Sequence, residues 1–193
     1  PDNWTSVNTN TNGFGTGNDV LGVAYGNNTF VAVGEDGKIS TSPDGTSDTW
    51  TAQTSGTTKV FQGVTYGNNI FVTVGNTGKI FTSADNGTTW TAQTSGVTVR
   101  LHGVTFSTNK FVAVGNTGTI LTSPDGTTWT SRTSGTTDKL KGVTYGNNVF
   151  VAVGDSGTIL TSPDGTTWTS RTSNTTNDLE GVTYGNGLFV AVG

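Results

Sequence analysis

The chain repeats itself about every 40 residues, and this period limits the possible folds more than any other feature. Gly-Val pairs begin at Gly22, Gly63, Gly103, Gly142 and Gly181, which gives separations of 41, 40, 39 and 39 residues. A fixed period of this length is typical of solenoids and propellers, in which each unit buries its faces against its neighbours. The sequence therefore predicts stacked copies of one small unit.

The copy that starts at residue 140 shows what one unit contains. It reads as strands LKGVTY from 140, VFVAV from 149, TILTS from 158 and TTWTSRT from 166, separated by turns rich in Gly, Asn, Asp and Pro. The second strand is apolar on both faces, whereas the fourth is polar apart from Trp168. This pattern predicts an interior second strand and a fourth strand at the edge of the sheet.

Four antiparallel strands per unit, with no helical periodicity, describe a propeller blade. We predict an all-β, single-domain β-propeller over residues 1–193, five-bladed, with full blades at 21–59, 60–99, 100–138 and 139–178. Residues 179–193 and 1–8 would form a composite fifth blade, with Trp4 in its outer strand. Neither end contains a third strand for it. The chain is then a fragment of a longer propeller, borrows that strand from another copy, or lacks residues after Gly193.

The hairpin between the third and fourth strands carries a motif. It reads SADNGTTW from Ser83, with close variants from Ser42, Ser123 and Ser162. This resembles the Asp box of sialidase-type (BNR) repeats, and the whole unit resembles the repeats of Ycf48-like photosystem assembly factors and bacterial surface proteins. The resemblance implies a propeller but little about activity, because the Asp box is a structural device in enzymes and non-enzymes alike. The residues expected to have this structural role are Asp44, Trp50, Asp85, Trp90, Asp125, Trp129, Asp164 and Trp168.

Composition narrows the choice of partners and compartment. With 11% charged residues, a net charge of -4 and scattered Lys and Arg, we expect no nucleic-acid partner and no membrane insertion. The absence of Cys excludes a disulfide framework and thiolate metal sites. Low charge and abundant Thr and Asn favour a secreted or cell-surface protein. Candidate N-glycosylation acceptors are Asn3, Asn27, Asn86 and Asn174.

Catalytic residues are scarce. Sialidase chemistry, the activity that the Asp-box resemblance suggests, needs three converging Arg. The chain has three, but Arg132 and Arg171 hold equivalent positions on outer strands and cannot converge with Arg100. His102 is the sole histidine. We therefore predict no enzyme, no cofactor and no metal.

Positions that differ between otherwise similar copies are candidates for function. The residue before each Gly-Val pair and the residue two positions earlier vary in charge and size. If the first strand is innermost, these side chains form a ring at one mouth of the central channel. The candidates are Gln62, Arg100, His102, Lys139, Lys141, Asp178 and Glu180. The alternative is that they are unconstrained ends of loops.

A repeated pairing of Tyr with Asn is the second candidate. Aromatic faces and amides suit sugars, and repeated weak sites would make a multivalent lectin. Packing of Tyr and hairpin turns built from Asn explain the same residues without a ligand. The pairs are Tyr25 with Asn28, Tyr66 with Asn69, Tyr145 with Asn148, and Tyr184 with Asn186.

The leading functional prediction is a non-catalytic extracellular module that binds a glycan or a protein surface through one propeller face. One alternative is a structural subunit that assembles with its own copies into a fibre, sheath or surface layer. The other is a glycoside hydrolase, for which Asp178 and Glu180 are the available carboxylate pair.

Overall fold

The structure, a computed structural model, describes residues 14, 15 and 17–193 as antiparallel sheets. The first blade contains β1 (Val20–Gly26), β2 (Thr29–Gly34), β3 (Ile39–Ser42) and β4 (Thr51–Gln53). The second contains β5 (Phe61–Gly67), β6 (Ile70–Gly75), β7 (Ile80–Ser83) and β8 (Thr91–Gln93). The third contains β9 (Leu101–Ser107), β10 (Lys110–Gly115), β11 (Ile120–Ser123) and β12 (Thr130–Arg132). The fourth contains β13 (Leu140–Gly146), β14 (Val149–Gly154), β15 (Ile159–Ser162) and β16 (Thr169–Arg171).

The fifth sheet has two strands, β17 (Gly181–Gly185) and β18 (Leu188–Val192). In every full blade the strands pair in chain order, and the first strand of each blade packs against the first strand of the next. This is the predicted β-propeller, with four full blades and the first two strands of a fifth. The predicted outer strand around Trp4 lies outside the described residues. Within residues 14–15 and 17–193, no helix is long and apolar enough to span a membrane.

The hydrophobic core lies between blades. Val31 and Val33 of β2 have no exposed surface and pack against Phe61 and Phe71 of the next blade. Similar clusters join the second blade to the third and the third to the fourth, and a smaller one joins the fourth to the fifth. Each fully buried side chain of this size contributes about 1.5–3 kcal/mol. The second strands of the four full blades are buried on both faces as predicted, whereas β18 of the fifth blade is exposed.

The glycines of the Gly-Val pairs let the inner strands approach one another closely. A Cβ placed on Gly142 would lie 3.2 Å from the Cα of Gly181 in the next blade, and one on Gly22 would lie 3.1 Å from the Cα of Gly63. The repeat that organises the sequence therefore marks the contact between successive inner strands.

The hairpins after the inner strands use Asn and Gly for different purposes. The two Asn adopt left-handed conformations, with φ of 45° at Asn147 and 62° at Asn148, which Asn tolerates well. Gly146 instead provides clearance, because a Cβ there would lie 2.1 Å from the ring Cγ of Tyr184 in the next blade.

The outer strands are shorter than predicted. The strand predicted from 166 begins at Thr169, after Trp168. The reason is local: the backbone N–H groups of Thr166 and Thr167 donate to the carboxylate of Asp164 at 2.8 and 2.9 Å. These groups belong to the turn and cannot join the sheet.

Candidate functional site

At one end of the blades, which we call the mouth, lie the starts of the inner strands and the 3-10 turns that follow the second strands. These turns are held by the main chain. The N–H of Asn116 donates to the carbonyl of Arg100, and the N–H of Asp155 donates to that of Lys139, both at 2.9 Å. A Cβ on Gly115 would lie only 2.3 Å from the Arg100 oxygen, so this glycine is required for the contact. Because backbone atoms hold the scaffold, the side chains at these positions are free to differ.

Lys141 is the centre of a charged cluster at this mouth. Its Nζ lies 2.8 Å from Asp155 Oδ1, 3.0 Å from Asp178 Oδ2 and 2.6 Å from Glu180 Oε1. The hydrogen bonds that Lys141 donates to Asp155 and Glu180 raise its pKa well above the usual value. Asp178 also accepts from the Ser156 N–H at 3.0 Å, and this bond together with Lys141 lowers its pKa. The cluster links the fourth blade to the fifth.

His102 holds the same position in the third blade. Its Nε2 lies 2.7 Å from Asn116 Oδ1. Burial lowers the pKa of His102, the hydrogen bond to Asn116 opposes this shift, and the nearby charges of Arg100, Lys139 and Lys141 add to it. The imidazole is therefore neutral at physiological pH.

The residues predicted to form the ring lie at the mouth as a series that runs from the first blade to the fifth, and we call this series the mouth ring. Leu21 is 43% exposed on the first blade, and Gln62 holds the equivalent position on β5. Lys139 lies 3.5 Å from Asp155 and adds a second cation to the Lys141 cluster. From the first blade to the fifth, the residue before the Gly-Val pair therefore changes from apolar, through neutral polar, to charged. These residues are Leu21, Gln62, His102, Lys141 and Glu180. Asn116 and Asp155 also belong to this site, but the sequence pattern did not point to them. Each lies 14 residues after the residue that it contacts, His102 and Lys141 respectively.

Shallow grooves lie on the same face, outward from the mouth, and sequence reasoning did not find them. Each lies between a 3-10 turn and the loop after an outer strand, and three of them have volumes of about 640 to 700 Å³. Ser and Thr line them, with Arg132 in one and Arg171 in another. The repeated Thr-Ser segment that builds them reads as an ordinary polar loop, so the sequence carried no clear signal.

The Tyr and Asn residues lie at the opposite end of the blades. The rings of Tyr66 and Tyr184 cover Gly26 and Gly146 of the preceding blades, so one ring face is used in packing. Tyr145 Oη lies 3.4 Å from Asn148 Oδ1, and Tyr25 makes the same contact with Asn28. Asn69 and Asn186 adopt left-handed turn conformations. These contacts favour packing, and sugar binding here stays a prediction.

The Asp-containing hairpins lie at this same end. In the third blade, Asp125 Oδ1 accepts from the backbone N–H groups of Thr127 and Thr128 at 2.8 Å and from the Ser123 hydroxyl at 3.0 Å. The Thr128 bond is the largest cause of the lowered pKa of Asp125. Trp129 Nε1 donates to the Gly126 carbonyl at 2.8 Å.

The other three hairpins use the same kinds of contact. The Thr49 hydroxyl contributes most to lowering the pKa of Asp44 to about 2. In Asp85, burial raises the pKa, but hydrogen bonds from Thr89 outweigh it. In each of these hairpins the Trp indole N–H donates to a glycine carbonyl. The donors are Trp50, Trp90 and Trp168. Each of these carboxylates accepts hydrogen bonds from its own hairpin, which favours the structural role that the sequence predicted.

The predicted glycosylation acceptors lie apart from the mouth. Asn27 and Asn86 are exposed, and Asn27 Nδ2 donates to Asn86 Oδ1 at 2.6 Å across neighbouring blades. Asn174 is exposed in the loop after β16. Asn3 lies outside the described residues.

The residues weighed as catalytic candidates lie in two different places. Arg132 and Arg171 lie on outer strands, where their Nε atoms donate to Thr122 and Thr161 at 2.8 Å. Asp178 and Glu180 share the Lys141 ammonium. Among the described residues, no group of three or more His, Asp or Glu side chains is arranged to hold a metal ion.

Comparisons with known proteins agree on the fold. No family model and no curated protein matches the sequence. Ycf48 bound to a D1 peptide is similar in structure, with a TM-score of 0.69 and 18% identity over 88% of this chain and 58% of that chain. Ycf48 from Cyanidioschyzon merolae has a TM-score of 0.67 and 16% identity over 86% and 60% of the two chains. The computationally designed Ika8 has a TM-score of 0.72 and 14% identity over 90% and 55%.

This chain therefore spans somewhat more than half the length of these similar structures. At such low identities the similarity establishes the propeller fold and no more.

Proposed function

We propose that this chain is a non-catalytic recognition module that binds a segment of another protein across the mouth face. That face consists of the mouth ring and the polar grooves around it. The observation that carries the proposal is the Lys141 cluster, because it holds two cations and three carboxylates together on a scaffold fixed by backbone bonds.

The chemistry of this face suits a peptide better than a neutral sugar. Arg100, Lys139 and Lys141 lie near His102, and Lys141 is bound to Glu180. This face therefore presents both cations and a carboxylate, and such mixed charge complements a peptide segment that carries both signs. Loops on a rigid scaffold are also where binding residues are commonly found. The solved Ycf48 complex shows a similar fold bound to a peptide, which supports this mode of use.

An extracellular setting is part of the proposal. Low charge and exposed Asn-x-Thr acceptors at Asn27, Asn86 and Asn174 support it. Secretion of the chain from eukaryotic cells, followed by mass analysis of attached glycans, would test whether these acceptors are used.

Binding is tested with a random-peptide phage library panned on the immobilised chain. Selected peptides are then measured against a mouth variant that combines Arg100→Ser, His102→Gln and Glu180→Gln. The matched control is Asn148→Gly, which removes an amide at the opposite end and keeps a left-handed turn that glycine accepts. We expect affinity to fall about tenfold or more in the mouth variant and to stay unchanged in the control. Equal binding by the mouth variant would contradict the proposal.

A further inference from the structure

The four polar grooves of the mouth face share one arrangement, and each belongs to a single blade. We number them after their blades. The third groove, for example, is lined by residues 117–119 and 131–138, all of which lie in the third blade. The other three are lined by the equivalent segments of their own blades. Each groove is therefore a property of the blade that contains it.

In the third and fourth grooves a cation comes from the outer strand. Arg132 Nε donates to Thr122 Oγ1, and Arg171 Nε donates to Thr161 Oγ1, both at 2.8 Å. Within the described residues, neither guanidinium makes another hydrogen bond or an ion pair. The two terminal NH₂ groups of each Arg are therefore available to a ligand.

In the first and second grooves Gln holds the position of the Arg. Gln53 Nε2 donates to Thr41 Oγ1 at 2.9 Å, and Gln93 Nε2 donates to Thr82 Oγ1 at 2.8 Å. The bond to the third strand is therefore kept in all four blades. Arg differs from Gln by adding a positive charge and further N–H donors beyond this bond.

The first and second grooves have their cation on the opposite wall, at the residue after the 3-10 turn. This residue is Lys38 in the first groove and Lys79 in the second, whereas Thr119 and Thr158 hold the position in the third and fourth. Neither ammonium forms an ion pair within the part of the chain that the structure describes. Every groove thus contains one cation, although the residue that supplies it changes. A recurring charge on changing side chains is what an anionic ligand requires.

Two of the grooves also contain a carboxylate. Asp36 lines the first groove, and Asp138 lines the third, where its Oδ2 accepts from the Thr158 hydroxyl at 2.8 Å. Among the described residues that line the second and fourth grooves, none is acidic. Lys79 and Arg171 should therefore attract an anion most strongly.

The rest of the groove lining is rich in hydroxyl groups. Ser and Thr supply most of the side chains, and among the described lining residues Val97 is the one with an aliphatic or aromatic side chain. Such a surface offers hydrogen bonds to the hydroxyls of a ligand but no apolar pocket for peptide side chains. Copies of one site on successive blades also match a polymer whose acidic groups recur along its length.

We propose that these grooves bind an acidic polysaccharide, with one acidic group in each occupied groove. The Lys or Arg binds the sulfate or carboxylate oxygens, and the Ser and Thr hydroxyls bind the sugar hydroxyls. Each site is weak because it is open to solvent, and repetition strengthens the binding. The described linings of the grooves include no residue of the mouth ring, so the inference does not rest on peptide binding there.

The experiment measures binding of polymers to the immobilised chain by biolayer interferometry. The probes are dextran sulfate, polygalacturonate, neutral dextran and poly-L-glutamate of similar length. The chain is produced in bacteria, so that Asn174, which lines the fourth groove within an N-glycosylation sequence, carries no glycan. We expect the chain to bind at least one of the two acidic polysaccharides, more weakly as salt is added. Binding of dextran sulfate alone would identify sulfate esters, and binding of polygalacturonate alone would identify uronates.

A groove variant combines Lys79→Thr with Arg171→Gln. Each change introduces the residue that holds the same position in two other blades, so the fold already accommodates it. The control is Lys110→Glu, which changes the net charge by the same amount at the opposite end. Lys110 makes one exposed hydrogen bond there, to the Asp164 carbonyl at 2.6 Å. A third variant, Gln93→Arg, adds a cation to the second groove.

We expect affinity for the acidic polysaccharide to fall about tenfold or more in the groove variant and to stay unchanged in Lys110→Glu. Gln93→Arg should bind about twofold to fivefold more tightly. Far-ultraviolet circular dichroism checks that all three variants fold.

The proposal is wrong if the natural sequence binds neither acidic polysaccharide, or if the groove variant and Lys110→Glu bind equally well. Tighter binding of poly-L-glutamate than of both polysaccharides would also overturn it, because the grooves would then favour an acidic peptide. None of these outcomes decides whether a peptide binds at the mouth ring, since the groove variant retains every residue of that ring.

Discussion

The ring of Tyr184 lies directly over Gly146 of the preceding blade, so close that a Cβ on this glycine would fall 2.1 Å from the ring Cγ. The same contact joins Gly26 to Tyr66 and Gly67 to Phe106. Successive blades are therefore held in a fixed spacing by an aromatic side chain seated on a glycine.

Gly146→Ala should destabilise the chain by about 1–3 kcal/mol, because the added methyl group forces the Tyr184 ring from its position. The matched control is Gly185→Ala, which places the same methyl group in open space at the equivalent position. We expect its free energy of unfolding to change by no more than about 0.5 kcal/mol. Urea denaturation in dilute solution measures both, and equal losses would contradict the packing role of the glycine.

Lys141→Met should lower the free energy of unfolding by about 1–3 kcal/mol, because it leaves three carboxylates without their shared cation. Lys139→Met is the control. Its side chain is 55% exposed and its ammonium lies 3.5 Å from Asp155, so we expect a change below about 0.5 kcal/mol. Thermal melts of both variants test this, and a similar loss in the two would show that the cluster has no special role.

Acid should weaken the fold through the Asp-containing hairpins. The folded-state pKa of Asp125 lies below its ordinary value of 3.8, so its ionised form contributes stability that is present above about pH 4 and lost as pH falls through the folded pKa. Asp125→Asn should therefore lower the melting temperature at neutral pH and flatten its decline in acid.

Asp48→Asn is the matched control for this titration. Asp48 is an exposed neighbour in the first hairpin whose carboxylate accepts from the Ser47 hydroxyl at 3.4 Å. We expect its melting curve to follow that of the natural sequence at each pH. An acid decline that Asp125→Asn leaves unchanged would contradict the hairpin explanation.

Tyr145 should matter for packing rather than for a sugar. Its ring packs in the core between the third and fourth blades, and its hydroxyl makes one long, exposed contact of 3.4 Å with Asn148. We expect Tyr145→Phe to be neutral and Tyr145→Ala to cost about 2 kcal/mol in chemical denaturation. A loss of glycan-array binding in Tyr145→Phe, with stability unchanged, would instead support the lectin hypothesis.

The sequence predicted the blades well because the relevant information is periodic. A 39 to 41 residue repeat, Asn-Asn hairpins and apolar second strands specify four-stranded units without any knowledge of their neighbours. The error in the outer strands arose from Asp164, whose hydrogen bonds to Thr166 and Thr167 compete with strand pairing. Whether the Asp side chain binds these N–H groups depends on the geometry of the turn, and the pattern of polar and apolar residues does not encode that geometry.

The mouth ring was predictable only in part. Variation before each Gly-Val pair pointed to Lys141 and Glu180, but not to Asp155, which enters through the turn after the second strand. Side chains at these positions can vary because backbone hydrogen bonds, rather than side chains, hold the turns. The role of Gly146 was likewise hidden, because it depends on a ring from the following blade.

The most direct test of the account is the amide spectrum of the ¹⁵N-labelled chain, recorded while a peptide selected from the phage library is added. If the peptide binds across the mouth face, we expect shifts at the residues before the Gly-Val pairs, such as His102 and Lys141, and at the first residues of the 3-10 turns, such as Asn116 and Asp155. Shifts confined to the Asn-Asn hairpins or to the Asp-containing hairpins at the opposite end would contradict it.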